Sequence, residues 1–288
     1  MAYVELETDI CKNDFNIFKC DDSHKYKIMY IIKERRYGIL KKICAYIPKK
    51  TPFIRDVKNV WVENDEYVGG SYIDKEVNNE IYDTLGEVKK TCYTPMYAKP
   101  LFTSSNKYYY KVHSTNNKLY YPKPLIIKKT KKNIWEVTSD DRRYIDIVYN
   151  YGMKKHYKEP DTIDLFLPNY IFNKISYITD GDCNHKNLYD CYNNYKPGIV
   201  CFKNRKPTFN YNIDSYVLKF NIRGGISSEK NTCFIHSHES DKTKNSYMEC
   251  LRLSKNVLAI IYKTPFSSLH AFSFGVSRIH SSRNGKYF

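Results

Sequence analysis

Few residue groupings in this chain could do chemistry, and most of them fail on spacing. Cys183-x-His185 with Cys191, and Cys233-x-x-His236-x-His238, carry metal-ligating side chains without the paired C-x-x-C spacing that folds two thiolates around one ion. Surface histidines and buried cysteines are the more ordinary account of them. Asp140-Asp141 and Asp180-Gly181-Asp182 are carboxylate pairs, the raw material of acid–base work, but their neighbours are those of turns. No nucleophile elbow, phosphate-binding loop or dinucleotide glycine pattern occurs, and Gly69-Gly70 and Gly224-Gly225 are isolated turn signals. The expectation is a protein without catalytic residues, metal or cofactor, whose chemistry is that of charge.

That charge is strongly positive. Lys and Arg number 47 against 31 acidic residues, a formal net charge of +16, which favours an anionic partner such as nucleic acid or an acidic membrane surface. An AT-rich genome inflates Lys, Asn, Ile and Tyr as well, and the 29 tyrosines fit that drift, so the charge argument is discounted. The cluster Lys33-Glu34-Arg35-Arg36 followed by Lys41-Lys42 reads as a membrane-surface or nuclear-import patch, or as the solvated face of an ordinary element. Tyrosines interleaved with lysines also suit nucleic acid, through phosphate contacts and stacking on bases, although no RNA-binding sequence pattern is present.

The chain opens on an acidic stretch, Met1 to Asp9, unlike a signal peptide, and no apolar run reaches membrane-spanning length. Nine cysteines, an odd number without C-x-x-C pairs, point to free thiols in a reducing compartment. A cytoplasmic protein is expected, with a nuclear pool as the variant.

The elements that would position these charges fall into two textures. Lys25 to Ile47 mixes isoleucines with charges at partly helical spacing, interrupted by Gly38, and reads as one or two helices or as paired strands. Residues 48–59 read as a connector, which sets residues 1–59 apart as an N-terminal segment. From residue 60 to 288 the texture is short strands rich in Tyr, Val, Ile and Phe between turn residues. The expected strands are Val60–Val62, Thr91–Tyr97, Lys107–Val112, Leu119–Tyr121, Ile134–Thr138, Tyr144–Tyr151, Thr162–Phe166, Gly198–Lys203, Tyr216–Arg223, Thr232–His236, Met248–Leu253 and Val257–Tyr262.

The tail is different again. Pro265 suits a first helical position, and Phe266, Leu269, Ala271, Phe272, Phe274, Val276 and Ile279 are spread around the whole cylinder rather than along one stripe. A helix apolar on every side must be wrapped by the rest of its domain. Sequential hairpins followed by such a helix suggest a barrel closed around it.

The order of residues in the last hundred positions resembles the carboxy-terminal domain of the Tubby family. Ser215-Tyr216-Val217-Leu218-Lys219-Phe220, then Ile222-Arg223-Gly224 and Ser228-Glu229-Lys230-Asn231, is similar to the family's Ser-Tyr-Val-Leu-x-Phe strand, Gly-Arg turn and Ser-x-Lys-Asn-Phe strand. Tyr262-Lys263-Thr264-Pro265-Phe266 and Leu269-His270-Ala271-Phe272 are similar to its closing Tyr-x-x-Pro-Leu-x-x-Leu-Gln-Ala-Phe. Lys206-Pro207-Thr208-Phe209-Asn210, Lys158-Glu159-Pro160-Asp161 and Ser104-Ser105-Asn106 extend the likeness upstream. The resemblance implies a closed antiparallel barrel of about twelve strands around a central hydrophobic C-terminal helix.

It also implies a non-enzymatic adaptor at the membrane periphery, bound to phosphoinositide headgroups, typically phosphatidylinositol 4,5-bisphosphate. The family's site uses a Lys-x-Arg pair, the Asn of Thr-Ser-Asn and the Arg of Lys-Gly-Pro-Arg. Carried over, these fall on Asn106, on the run Lys128, Lys129, Lys131 and Lys132, and on Asp161, which has the wrong sign; Lys158, or Lys154 and Lys155, would have to substitute. The family's basic hairpin before the Asn is reduced to Lys99. A solvated loop between strands is the ordinary reading of Lys128–Lys132. Two other outcomes stay open, a nucleic-acid-binding protein and a barrel that has lost its lipid site and serves protein partners; the N-terminal segment is the expected contact for such a partner.

Overall fold

The apolar run Ile28-Met29-Tyr30-Ile31-Ile32 is continuous because both of its faces are covered. Met29 and Ile31 belong to the main core, whereas Tyr30 and Ile32 pack outward with Cys44, Tyr46, Val257 and Ala259. With both faces apolar no alternation is visible, so helix and strand read alike. In the computed structural model the segment is a strand. The structure describes residues 2–5, 16–19, 27–37, 39–48, 92–101, 108–114, 125–131, 133–139, 142–150, 162–168, 187–195, 198–212, 215–218, 220, 228–241, 246–254 and 256–280.

The elements run β1 (Ala2–Glu5), β2 (Asn16–Lys19), β3 (Lys27–Arg36), β4 (Ile39–Pro48), β5 (Cys92–Tyr93), β6 (Met96–Pro100), β7 (Tyr109–Ser114), β8 (Leu125–Lys131) and β9 (Ile134–Ser139). They continue with β10 (Arg142–Asn150), β11 (Thr162–Pro168), the helix α1 (Leu188–Asn193), β12 (Ile199–Asn204), β13 (Thr208–Asn210) and β14 (Ser215–Val217). The last are β15 (Thr232–His236), β16 (Met248–Ser254), β17 (Val257–Tyr262) and the helix α2 (Ser268–His280).

Twelve strands close into an antiparallel barrel in the order β3-β17-β16-β15-β12-β11-β10-β9-β8-β7-β6-β4, and β3 pairs with β4 to complete the circle. Closure leaves no barrel strand with an open edge. β5 only lengthens the pairing of β4, and β1–β2 and β13–β14 form separate two-stranded pairs. All neighbouring barrel strands are antiparallel, so one rim holds the β3–β4 and β16–β17 turns, the ends of β6 and β8 and the starts of β7, β9 and β15.

The helix α2 fills the barrel, as its all-round apolar pattern requires: Ser268 through Arg278 are all buried. Phe234 meets Phe274 edge to face at 5.0 Å, and Phe202 meets Phe266 at 4.7 Å. Two of its buried hydroxyls are matched to the wall, Ser268 with the Tyr262 hydroxyl at 2.8 Å and Ser277 with the Tyr149 hydroxyl at 2.9 Å, whereas the buried Ser273 hydroxyl has no partner among the described residues. At Gly275 the helix lies close against β3; a Cβ there would stand 2.6 Å from Ile31 Cγ1.

Several sequence expectations are corrected. The helix starts at Ser268 rather than Pro265, because Ser267 caps it: the His270 N–H donates to Ser267 Oγ at 3.4 Å and the Ser267 N–H donates back to His270 Nδ1 at 3.2 Å. Pro265 and Phe266 precede the helix, while Leu269, Ala271, Phe272 and Phe274 lie in it. The break between residues 59 and 60 does not divide the fold, since β3 and β4 close the barrel between β17 and β6. Thr91–Tyr97 is two strands, split at Thr94-Pro95. Of the described residues in Tyr216–Arg223, Tyr216 and Val217 are strand and Leu218 and Phe220 are not; the strand pairs with β13 outside the barrel, where β12 meets β15 directly, and Lys219 and residues 221–223 lie outside the described residues. The expected loop at Lys128–Lys132 is largely β8. Val60–Val62 and Leu119–Tyr121 lie outside the described residues.

Candidate functional site

The Leu125 and Ile127 side chains face the core, which turns Ile126 and Lys128 outward, and an irregularity in pairing between Lys129 and Lys131 then re-aims the end of β8. Three of the four lysines singled out in the sequence are therefore placed by one strand. Lys128 stands opposite Glu136 on β9, with Nζ 3.8 Å from Oε2. Arg143 of β10 approaches the same oxygen at 3.6 Å, and the Thr130 hydroxyl donates to Glu136 Oε1 at 3.1 Å. Lys131 reaches Asp190 on α1 at 4.0 Å. Lys129 lies over the Tyr108 ring, 5.3 Å from its centroid. Lys99 lies on β6, 5.6 Å from the Tyr97 ring centroid, with Lys42 of β4 at 5.5 Å from the same ring.

Glu136 changes the electrostatics of this face. Its side chain is only 8% exposed, and it neutralises part of the charge of Lys128 and Arg143 while holding both in place. Neither Glu136 nor Arg143 was singled out in the sequence, although alternation along Ile134–Thr138 puts Glu136 on the outer face beside the lysine run. Asn106, Lys132, Lys158, Lys154, Lys155 and Asp161 lie outside the described residues; of the expected headgroup contacts Lys128, Lys129 and Lys131 are described, all on β8, with Lys128 outward on Glu136 and Lys129 on the other side of the strand over Tyr108.

A second basic group, whose members Lys33, Arg35, Lys129, Lys230, Arg252 and Arg278 are far apart in the chain, surrounds the C-terminal end of α2 at the same rim. Lys230 Nζ donates to the Ile279 carbonyl at 2.6 Å, satisfying a helix-end acceptor, and Arg278 donates to the carbonyls of Lys230 and Glu229. Burial lowers the Lys230 ammonium to about 8, helped by Arg278, Arg252 and Lys33. Burial also drives the His280 imidazole down to about 3, with Lys33, Lys230, Arg35 and Lys129 acting in the same direction.

Of the possible metal ligands, Cys183 and His185 lie outside the described residues. Cys233 and His236, three positions apart on β15, face opposite sides of the strand, and Cys191 is buried in α1. Burial raises the Cys233 thiol well above its ordinary value. Among the described residues no cluster of three or more His, Cys, Asp or Glu could hold an ion.

The twelve-stranded barrel threaded by a terminal helix has a counterpart in sequence: residues 88–281 match the model of the Tub family. This chain belongs to the Tub family. Among Tub family relatives, human Tubby-related protein 3 is 26% identical over 126 residues, covering 43% of this chain and 28% of that protein. The match thus spans little more than a quarter of the relative's length. The Tub family match begins at residue 88, whereas β3 and β4 lie before it and are still part of the barrel wall. Among the described residues no helix of this Tub family chain is long and apolar enough to cross a membrane.

Proposed function

We propose that this protein binds phosphoinositide headgroups, phosphatidylinositol 4,5-bisphosphate foremost, and docks reversibly on cytoplasmic membrane surfaces as a non-enzymatic adaptor. The observation that carries this reading is the set of cations along β8, Lys128, Lys129 and Lys131, with Arg143 of β10 sharing the Glu136 carboxylate with Lys128. Lysine and arginine side chains fixed on neighbouring strands hold ring phosphates through charge-assisted hydrogen bonds. A basic residue near an anionic surface contributes about 1 kcal/mol, so several together give recruitment that remains reversible. The segment ahead of β3 is the part left for a protein partner, because Lys27–Pro48 is taken up by the barrel.

Cosedimentation with phosphatidylcholine vesicles, with and without phosphatidylinositol 4,5-bisphosphate, tests this. The expected result is binding that needs the phosphoinositide and is lost when Lys128, Lys129, Lys131 and Lys132 are changed to Ala. Equal binding with and without the lipid, or no effect of the four substitutions, sinks the reading. Glu136 favours a second one, a barrel that serves as a protein scaffold without a lipid, since its carboxylate already occupies the space between Lys128 and Arg143 where a phosphate would sit.

A further inference from the structure

The turn between β3 and β4 presents two apolar side chains to solvent. Tyr37 is 90% exposed and Ile39, two positions on, is 66% exposed, both at the tip of a hairpin, and Leu101, just past the end of β6 at the same rim, is 36% exposed. A scattered exposed apolar residue is ordinary, whereas an aromatic and an aliphatic residue together on a projecting turn mark an interaction site. Tyr37 also holds φ at 50°, a backbone conformation uncommon for a bulky non-glycine residue.

The surroundings of the tip are cationic. Arg35 and Lys41 flank it and are exposed, and Lys129, Lys131 and Lys230 lie along the same rim. These charges add to the effect of burial on the half-buried imidazole of His280, which desolvation first and then Lys33, Lys230, Arg35 and Lys129 hold neutral. The carboxylates described near this rim include Glu34, tied to Lys42 at 3.4 Å and to the Tyr46 hydroxyl, Asp190, 4.0 Å from Lys131, Glu136, beside Lys128, Asp164, bonded to Asn150, and the exposed Glu229, so most of them already have a partner.

We propose that the β3–β4 turn is a membrane-insertion tip: Tyr37 and Ile39 enter the boundary between headgroups and acyl chains of an anionic bilayer, while Arg35, Lys41, Lys129 and Lys131 meet the lipid phosphates around it. This deepens the headgroup reading above and rests on it for the choice of a lipid partner. An apolar tip within a basic collar is the charge and polarity profile of an interfacial anchor. Nucleic acid matches the cations and Tyr37 but offers no apolar environment for Ile39. A second copy of the chain is disfavoured as occupant because β3 and β4 are paired on both sides and have no open edge to extend. The tip also fixes an orientation, since it shares its rim with the end of β8, so insertion brings Lys129 and Lys131 to headgroup depth together.

The test uses the full chain carrying Tyr37→Ser and Ile39→Ser together, substitutions at exposed positions that should leave the circular dichroism spectrum and Tm unchanged. Vesicles of phosphatidylcholine, alone or with phosphatidylserine or with phosphatidylinositol 4,5-bisphosphate, serve as probes, and inositol 1,4,5-trisphosphate serves as the soluble headgroup. The double variant should bind anionic vesicles about tenfold more weakly than wild type and bind the soluble headgroup equally well. A separate Tyr37→Trp variant should show fluorescence quenched by brominated acyl chains. Undiminished vesicle binding by the double variant, a parallel loss of headgroup affinity, absence of quenching, or a loss confined to nucleic acid binding overturns the tip. If wild type binds phosphatidylserine and phosphoinositide vesicles equally and the double variant loses both, the tip stands and the headgroup reading falls. If wild type ignores every anionic vesicle, both fall.

Discussion

The Tyr110 hydroxyl on β7 lies 2.6 Å from Nε2 of His280, in the last turn of the central helix and 170 residues away in the chain. Trp135 stacks near the same imidazole at 6.1 Å and Tyr108 meets it edge-on at 5.2 Å, so the helix end is closed by aromatic side chains under a ring of cations. A protonated imidazole would be desolvated and repelled in that position.

The first prediction concerns acid. His280 at about 3 and His270 at about 4 are both neutral in the fold, chiefly through burial, whereas the unfolded chain protonates histidine near 6.5. The unfolded chain therefore binds more protons below pH 6.5. The stability each histidine contributes is fully present above that pH and is lost as the pH falls from 6.5 toward 4. Asp146 opposes them: burial raises its carboxyl from 3.8 to about 7, so its share is present at low pH and fades as the pH rises through 7. Asp164, raised mainly by burial, acts on the side of Asp146, while His113 and His236, lowered mainly by burial, act on the side of His270 and His280, so four histidines against two aspartates leave a net loss of stability on acidification. Thermal unfolding from pH 4 to 7 should show Tm falling with pH in wild type and a flatter dependence in His280→Gln. An equal slope in both removes His280 as a cause.

The second prediction concerns the fit of the helix in the barrel. Gly275→Ala gains about 1 kcal/mol of helix propensity, but the new methyl would meet Ile31 Cγ1 at 2.6 Å and Ile260 Cδ1 at 3.0 Å. Ile31 is β-branched and buried, so the conflict is relieved only by shifting strand or helix, at about 1–3 kcal/mol. A net loss of about 1 kcal/mol is expected, read from urea unfolding. Phe272→Asp, with a charge placed at a fully buried site, should abolish the folded state; a protease-resistant Phe272→Asp protein would refute the central position of the helix.

The third prediction concerns thiols. Cys44, Cys191, Cys201, Cys233 and Cys250 are buried and free, and burial pushes Cys44 to about 11 and Cys201 and Cys250 to about 12. Their thiolate fractions at neutral pH are negligible. Iodoacetamide labelling read by mass spectrometry should leave these five unmodified in the native protein and modify them in urea. Native labelling of Cys233, which is fully buried, would show that β15 opens.

The fourth prediction separates the two readings of the basic face. Glu136→Gln keeps the size of the side chain and its contact with Thr130 while removing the counter-ion of Lys128 and Arg143. The stability cost should be about 1 kcal/mol, since those cations remain 34% and 27% exposed. Binding to vesicles containing phosphatidylinositol 4,5-bisphosphate should strengthen several-fold. Unchanged binding would mean that Glu136 and the lipid do not compete, and would favour the scaffold.

By itself the sequence determined the strand-rich texture, the buried terminal helix and, through Ser215–Phe220 and Tyr262–Phe272, the family resemblance, because these signals are local: turn residues, side-chain period and residue order. It located the basic run Lys128–Lys132 as well, but not its partners. The tertiary structure alone decided that Lys27–Pro48 is barrel wall, since only pairing with β17 and β6 distinguishes a strand apolar on both faces from a helix. It alone placed Glu136 between Lys128 and Arg143, which are separated in sequence but adjacent across three antiparallel strands. It also gathered Lys33, Lys129 and Lys230 around the end of α2. Such groupings arise from long-range register and barrel closure, and neither is encoded in any short window of residues.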